Sequence, residues 1–136
     1  FALPPFARAG PFLRNQGRFD GPPAKSELER AALATLYVAA MMAYVLDLLG
    51  SRNDIIVDGG LANNASLLGL LAALRPGQRI LRSETAEGTG LGAAALAFEA
   101  HGKRDVFRSE IQEVEPLKLR GLGAYFAEWK TMSENA

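Results

Sequence analysis

The chain has 136 residues, 49% hydrophobic and 22% charged, which excludes a disordered polyelectrolyte and suffices for one compact domain burying roughly two-thirds of its unfolded surface. Lys plus Arg (15) balance Asp plus Glu (15), so no broad electrostatic footprint for nucleic acid or an anionic membrane exists. The absence of cysteine excludes disulfides and thiolate metal centres and suits a reducing cytoplasm.

Residues 1–23 are rich in Pro, Gly, Arg and Phe and keep no helical or alternating period. Extended segments and turns with one short strand are expected there. Phe1, Phe6, Phe12 and Phe19 are spread along this stretch, a spacing suited to lying on a hydrophobic surface expected outside this chain. The opening Phe1-Ala2-Leu3-Pro4-Pro5-Phe6 reads as the middle of a longer polypeptide, and it is not a basic-then-apolar leader.

Ser26-Glu27-Leu28-Glu29 is a capping box behind two prolines, and it predicts a helix from there to about Leu49, stopped by Gly50. Ala31 to Leu46 carries no charge. That run is shorter than the roughly 18 to 20 residues a bilayer requires, so a core helix covered on most sides is expected rather than a membrane span. A strand Asp54–Asp58 follows, then a diglycine turn and a helix from about Asn64 to Leu74, ended by Arg75-Pro76-Gly77. Gln78–Arg82 is a second short strand. Ser83–Gly90 is a polar loop, and a small-residue helix is expected from about Leu91 to His101, with Gly102 as its cap. Residues from Val106 to Glu115 read mostly as loop. Leu122, Tyr125, Phe126 and Trp129 fall at i, i+3, i+4 and i+7, predicting a closing amphipathic helix that frays after Met132. This alternation is that of an α/β fold with helices packed on a small sheet.

Ile55-Ile56-Val57-Asp58-Gly59-Gly60-Leu61-Ala62-Asn63-Asn64 carries the functional signal. A buried strand that ends in two glycines and opens into a helix brings bare backbone to a ligand and aims N–H groups at it, the way α/β proteins hold phosphates. Gly59 and Gly60 supply the approach. Asn63 and Asn64 can cap the helix or hydrogen-bond a base or sugar edge. Asp58 can serve a metal or ribose, but accepting turn N–H bonds is its expected role.

Other motifs carry less. Gly88-x-Gly90-x-Gly92 lacks both the preceding strand and the spacing of a dinucleotide fingerprint. Close helix packing through Gly92, Ala93 and Ala94 is the better account, with Glu87 or Thr89 capping the helix. No lysine-bearing phosphate loop is present. His101, the single histidine, suits a helix C-terminus. Glu84, Glu87 and Asp105 form no acid–base pair, and Arg8, Arg14 and Arg18 read as a solvated or interdomain face.

In order and spacing these pieces resemble the C-terminal part of the FGGY family of carbohydrate kinases, which includes glycerol kinase, xylulokinase, fuculokinase and rhamnulokinase. The resemblance runs through Gly10-Pro11-Phe12, Gly17-Arg18-Phe19, Glu29-Arg30-Ala31-Ala32-Leu33, Ile56-Val57-Asp58-Gly59-Gly60 with Ala62-Asn63-Asn64, Glu87-Gly88-Thr89-Gly90-Leu91-Gly92-Ala93-Ala94, and Tyr125 to Trp129. It implies an actin-like (RNase H-like) ATPase half-domain, with residues 1–25 an extended lead-in and 26–136 the nucleotide-binding portion. It also implies ATP as cofactor, with Gly59 and Gly60 at the α-phosphate and Asn63 or Asn64 at the adenine side. The full-length parent would be a cytoplasmic kinase of a ketose or polyol, and a homodimer is compatible with it. Its magnesium ligands, phosphate loops, catalytic aspartate and most of its sugar site would lie in an N-terminal kinase domain outside this chain, leaving these residues inactive alone. The rival readings are a non-enzymatic interaction module docking through the helix over 31–46 and, third, a dinucleotide-binding oxidoreductase domain.

Overall fold

The computed structural model describes residues 1–6, 10–84, 88–102 and 110–135. Two short strands, β1 (Ala2–Leu3) and β2 (Arg18–Phe19), pair antiparallel, where one strand was expected. Helix α1 (Glu27–Leu48) follows, then β3 (Ile55–Val57), a 3-10 turn (Gly59–Asn63), α2 (Ala65–Leu74), β4 (Ile80–Ser83), α3 (Gly88–Ala100), β5 (Ile111–Glu113) and α4 (Leu122–Glu134). The second sheet has the order β3-β4-β5, with β3 and β4 parallel and β5 antiparallel to β4.

The start of α1 follows its capping signal. Ser26 Oγ accepts from the Glu29 N–H at 3.1 Å. Glu29 reaches back one residue further than a standard box, to the Lys25 N–H at 2.5 Å. At the other end the Gly50 N–H meets the Asp47 carbonyl, and Gly50 takes φ +62°, the left-handed geometry that glycine adopts without a Cβ clash.

Along one side, α1 packs on α2 and β3. Ala43, Val57, Leu68, Leu71 and Ile80 form one cluster, and Ala39, Leu67, Leu70 and Leu122 form another. Around the helix, Ala40 and Tyr44 join Leu3, Phe12 and Trp129. The Trp129 indole N–H donates to the Ala2 carbonyl at 2.9 Å, so the two ends of the chain meet over α1. The surface beneath the phenylalanines is therefore largely in this chain. Phe1 stacks on Tyr125 at 4.7 Å, Phe12 lies 4.8 Å from Tyr44, and Phe6 meets Tyr37 edge-on; Phe19 remains 68% exposed.

Three further expectations need correcting. Helix α1 is long and apolar enough by length and composition to cross a bilayer, and only 22% of its most apolar stretch is buried; a small-residue strip holds it in the fold instead of a cover on most sides. Residues Ile111–Glu113 form a strand, because their backbone pairs with β4 although all three residues are exposed and so carry no buried-face pattern. The tail does not fray at Met132. Ser133 is fully buried, and Asn15 Nδ2 donates to its carbonyl at 2.8 Å.

Trp129 and Tyr125 make opposite predictions. Trp129→Phe leaves a cavity and an unpaired Ala2 carbonyl, costing about 2–4 kcal/mol. Tyr125 buries a hydroxyl that has no partner among the described residues, so Tyr125→Phe is expected to be neutral or to stabilise by up to about 1 kcal/mol. Urea unfolding of both variants checks the pair.

Candidate functional site

Parallel pairing of Ile55 with Ile80, Ile56 with Leu81 and Val57 with Arg82 makes β3 and β4 end at the same edge. The crevice outside such carboxyl ends is where α/β sheets hold ligands. The chain leaves β3 through Asp58 in an extended conformation (φ −124°, ψ 167°) and turns at Gly59 with φ +72°. An L side chain at that φ costs about 1–2 kcal/mol, which is the local reason for glycine at 59.

The α-helix begins within one residue of the start at about Asn64 that the sequence suggested. The 3-10 turn precedes it, and α2 starts at Ala65. An i→i+3 ladder opened by the Asp58 carbonyl leaves the Gly59 and Gly60 N–H groups without an intrahelical acceptor, and neither bonds a described residue elsewhere. A Cβ added at either glycine would meet nothing within 4 Å. Ala62, 4% exposed, anchors the turn in the core, while Leu61 is 49% exposed.

The two asparagines, equivalent in the sequence, separate here. Asn64 caps α2, its Oδ1 accepting from the Leu67 N–H at 3.0 Å, which satisfies one of the helix's free donors. Asn63 is exposed and has no hydrogen bond from its side chain to a described residue. Asp58 does not cap its own turn, contrary to expectation. Its carboxylate instead lies against Gly88, the first residue of α3, in the space a side chain there would fill. Sequence reasoning discounted Gly88, since only the parallel pairing of β3 and β4 brings it to the turn.

Residue Thr89 lies inside α3 and is not its cap; Arg8, Glu87 and Asp105 fall outside the described residues. The close packing expected through Gly92 is not made, since a Cβ at Gly90 or Gly92 would meet nothing within 4 Å. His101 Nδ1 lies 2.9 Å from the Ala97 carbonyl and serves the helix end. Among the described residues no cluster of three or more His, Asp or Glu is placed to hold a metal ion.

Two cavities lie away from the glycines. One of about 600 Å³ sits between residues 1–24 and the first half of α1, walled by Phe1, Phe6, Phe19, Leu33 and Tyr37. The other, about 440 Å³, is an open groove between α1 and β3, lined by Met41, Met42, Val45, Leu46 and Ile56 with Asp58 at its end.

The family model described as carbohydrate kinase FGGY, C-terminal domain, matches residues 1–105. The chain belongs to the FGGY carbohydrate kinase family. A carbohydrate kinase from Novosphingobium aromaticivorans, known from its crystal structure, shares this fold with a TM-score of 0.79 at 29% identity. The match covers 99% of this chain and 28% of that one, so the chain spans little more than a quarter of that kinase's length. No curated protein matches the chain. The α/β, actin-like half-domain expected from the sequence is the fold observed.

Gly59 and Gly60 differ in what they tolerate. Gly59→Ala should lower stability by about 1–2 kcal/mol through its positive φ. Gly60→Ala, without that φ and facing open space, should change it by less than about 0.5 kcal/mol. Thermal unfolding of the two variants measures the difference.

Proposed function

We propose that this FGGY domain supplies the adenine and α-phosphate half of an ATP cleft in a sugar or polyol kinase. One observation carries the reading: an open glycine corner at the carboxyl ends of two parallel strands, where among the described residues none claims the Gly59 and Gly60 N–H groups or the Asn63 side chain beside them. Unclaimed amides at such a corner suit a phosphate, because they gain a charge-assisted hydrogen bond and give up none. Asn63 offers both a donor and an acceptor to a purine or ribose edge. Asn64 holds the start of α2 in place.

The partner is the N-terminal kinase domain, with the sugar or polyol bound mostly outside this chain. Mg²⁺ would travel with the phosphates and neutralise their charge, held by groups of that other domain. Ile56, 59% exposed beside the groove between α1 and β3, belongs to the apolar surface that the remainder of such a kinase would cover. That groove also favours a second reading, in which α1 docks a protein partner and no nucleotide binds. We place the parent enzyme in the cytoplasm, where its ATP is.

Titration of the chain with MgATP and with NADH, followed through the backbone amide resonances of Gly59–Asn64, separates the readings. ATP should move these resonances at millimolar concentration and NADH should not; silence toward both favours docking through α1. The asparagines should divide the effects. Asn63→Ala is expected to weaken ATP binding about tenfold, the worth of one or two hydrogen bonds, without changing stability. Asn64→Ala removes a helix cap and should cost about 1 kcal/mol of stability.

Phosphoryl transfer needs nucleophile, metal and phosphate loops around the γ-phosphate. The chain mixed with MgATP and a panel of ketoses and polyols should therefore release no ADP above background in a coupled assay. Sugar-dependent release would overturn the assignment of the catalytic aspartate and phosphate loops to the other domain.

A further inference from the structure

Asp58 and Gly88 are far apart in sequence yet share one volume. A Cβ at position 88 would lie 1.9 Å from Asp58 Oδ2 and 2.8 Å from its Cγ. Gly88 has no left-handed φ, so its backbone does not call for glycine, and glycine is a poorer helix former than alanine. The three atoms that a side chain there would meet first all belong to the Asp58 carboxyl group. Asp58 neither caps its own turn nor forms an ion pair with a described residue. What it touches is the start of a thirteen-residue helix, whose first N–H groups lack intrahelical acceptors and whose dipole favours negative charge.

We propose that Asp58 is a positioning residue that docks the start of α3 beside the diglycine turn, with Gly88 kept bare to receive its carboxylate. The geometry stands without the nucleotide reading; its consequence for ATP rests on that reading. A free carboxylate next to the unclaimed amides of Gly59 and Gly60 would repel a triphosphate. Set against the positive end of α3, the same charge is compensated and fixes the two strand-to-helix junctions relative to each other. Asp58 thereby acts through the turn without contacting the phosphate.

The test compares wild type, Asp58→Ala, Gly88→Ala and the double variant of the full chain. Three quantities are read: the amide resonances of Thr89–Leu91, the midpoint of thermal unfolding, and the MgATP response at Gly59–Asn64. In the wild-type background Gly88→Ala expels the carboxylate, so it should shift the Thr89–Leu91 amides and weaken ATP binding about fivefold, within the coupling range of touching residues. In the Asp58→Ala background the same substitution should leave both unchanged and raise the midpoint, since only helix propensity then responds. Asp58→Asn, which keeps the shape, should retain the Thr89–Leu91 pattern that Asp58→Ala loses. Equal effects of Gly88→Ala in the two backgrounds would overturn the proposal, and so would tighter ATP binding by Asp58→Ala, which would mark the carboxylate as a repelling charge. No ATP response in wild type would sink the nucleotide reading while the amide and midpoint coupling still decides the docking.

Discussion

Three alanines on α1 let everything else approach. Ala39, Ala40 and Ala43 are almost wholly inaccessible, and each belongs to a different core cluster. Ala39 and Ala43 stand one turn apart on the side that receives α2, while Ala40 is turned toward the aromatic cluster of Phe12, Tyr44 and Trp129. A methyl group at these positions lets the neighbouring elements close onto the helix with native packing density. Arg75 then fastens the far end. Its buried guanidinium donates to the Ala43 carbonyl at 2.9 Å, to Asp47 at 2.7 Å and to the Ser51 carbonyl at 3.3 Å, while its Nε donates to Gln78. One side chain thus ties the last turns of α1 to the segment that follows it through Ala43, Asp47 and Ser51.

That packing reaches the site through Ala62. The 3-10 turn places Ala62 in the same cluster as Ala43, Val57 and Leu71, so Leu61 and Asn63 on either side of it are driven outward. The open corner at Gly59 and Gly60 is thereby held by the core and not by contacts of its own. A rigid scaffold carrying an unclaimed backbone segment is the arrangement that lets a binding turn be both exposed and ordered.

What was legible in the sequence had local causes. The Ser26 cap, Gly50 and the Leu122–Trp129 spacing each act within a turn or two of the chain, and each appears where its chemistry requires. The missed features depend on partners distant in sequence. Ile111–Glu113 is a strand because β4 offers it a ladder, and its exposed residues carry no alternation to reveal that. The tail is held past Met132 by Asn15, and Phe1, Phe6 and Phe12 of the lead-in rest on α1 and α4 of their own chain. Asp58 was read as a turn acceptor because its contact, Gly88, becomes a neighbour only once β3 and β4 pair in parallel. Which of Asn63 and Asn64 caps α2 was likewise beyond the sequence, since either fits; in the fold Asn64 takes the cap, its Oδ1 accepting from the Leu67 N–H.

The cavity of about 600 Å³ would be the default ligand site if volume were the criterion, and it is walled by residues 1–24 and the first half of α1, not by the glycines. Its walls argue otherwise for a phosphate-bearing ligand. Phe1, Phe6, Phe19, Leu33 and Tyr37 make them mostly apolar; Arg30 is the one cationic side chain among them, already paired with Glu27, and Asp20 adds a negative charge, so a triphosphate moved there would lose most of its hydration for little in return. The glycine corner encloses almost nothing, yet it offers donors that the fold has left unclaimed at the edge where parallel strands end. For a polyanion the sum of available hydrogen bonds outweighs the volume enclosed. On the reading proposed above, such a corner would be shallow because its other wall belongs to another domain, and closure of the two around the nucleotide would supply the enclosure.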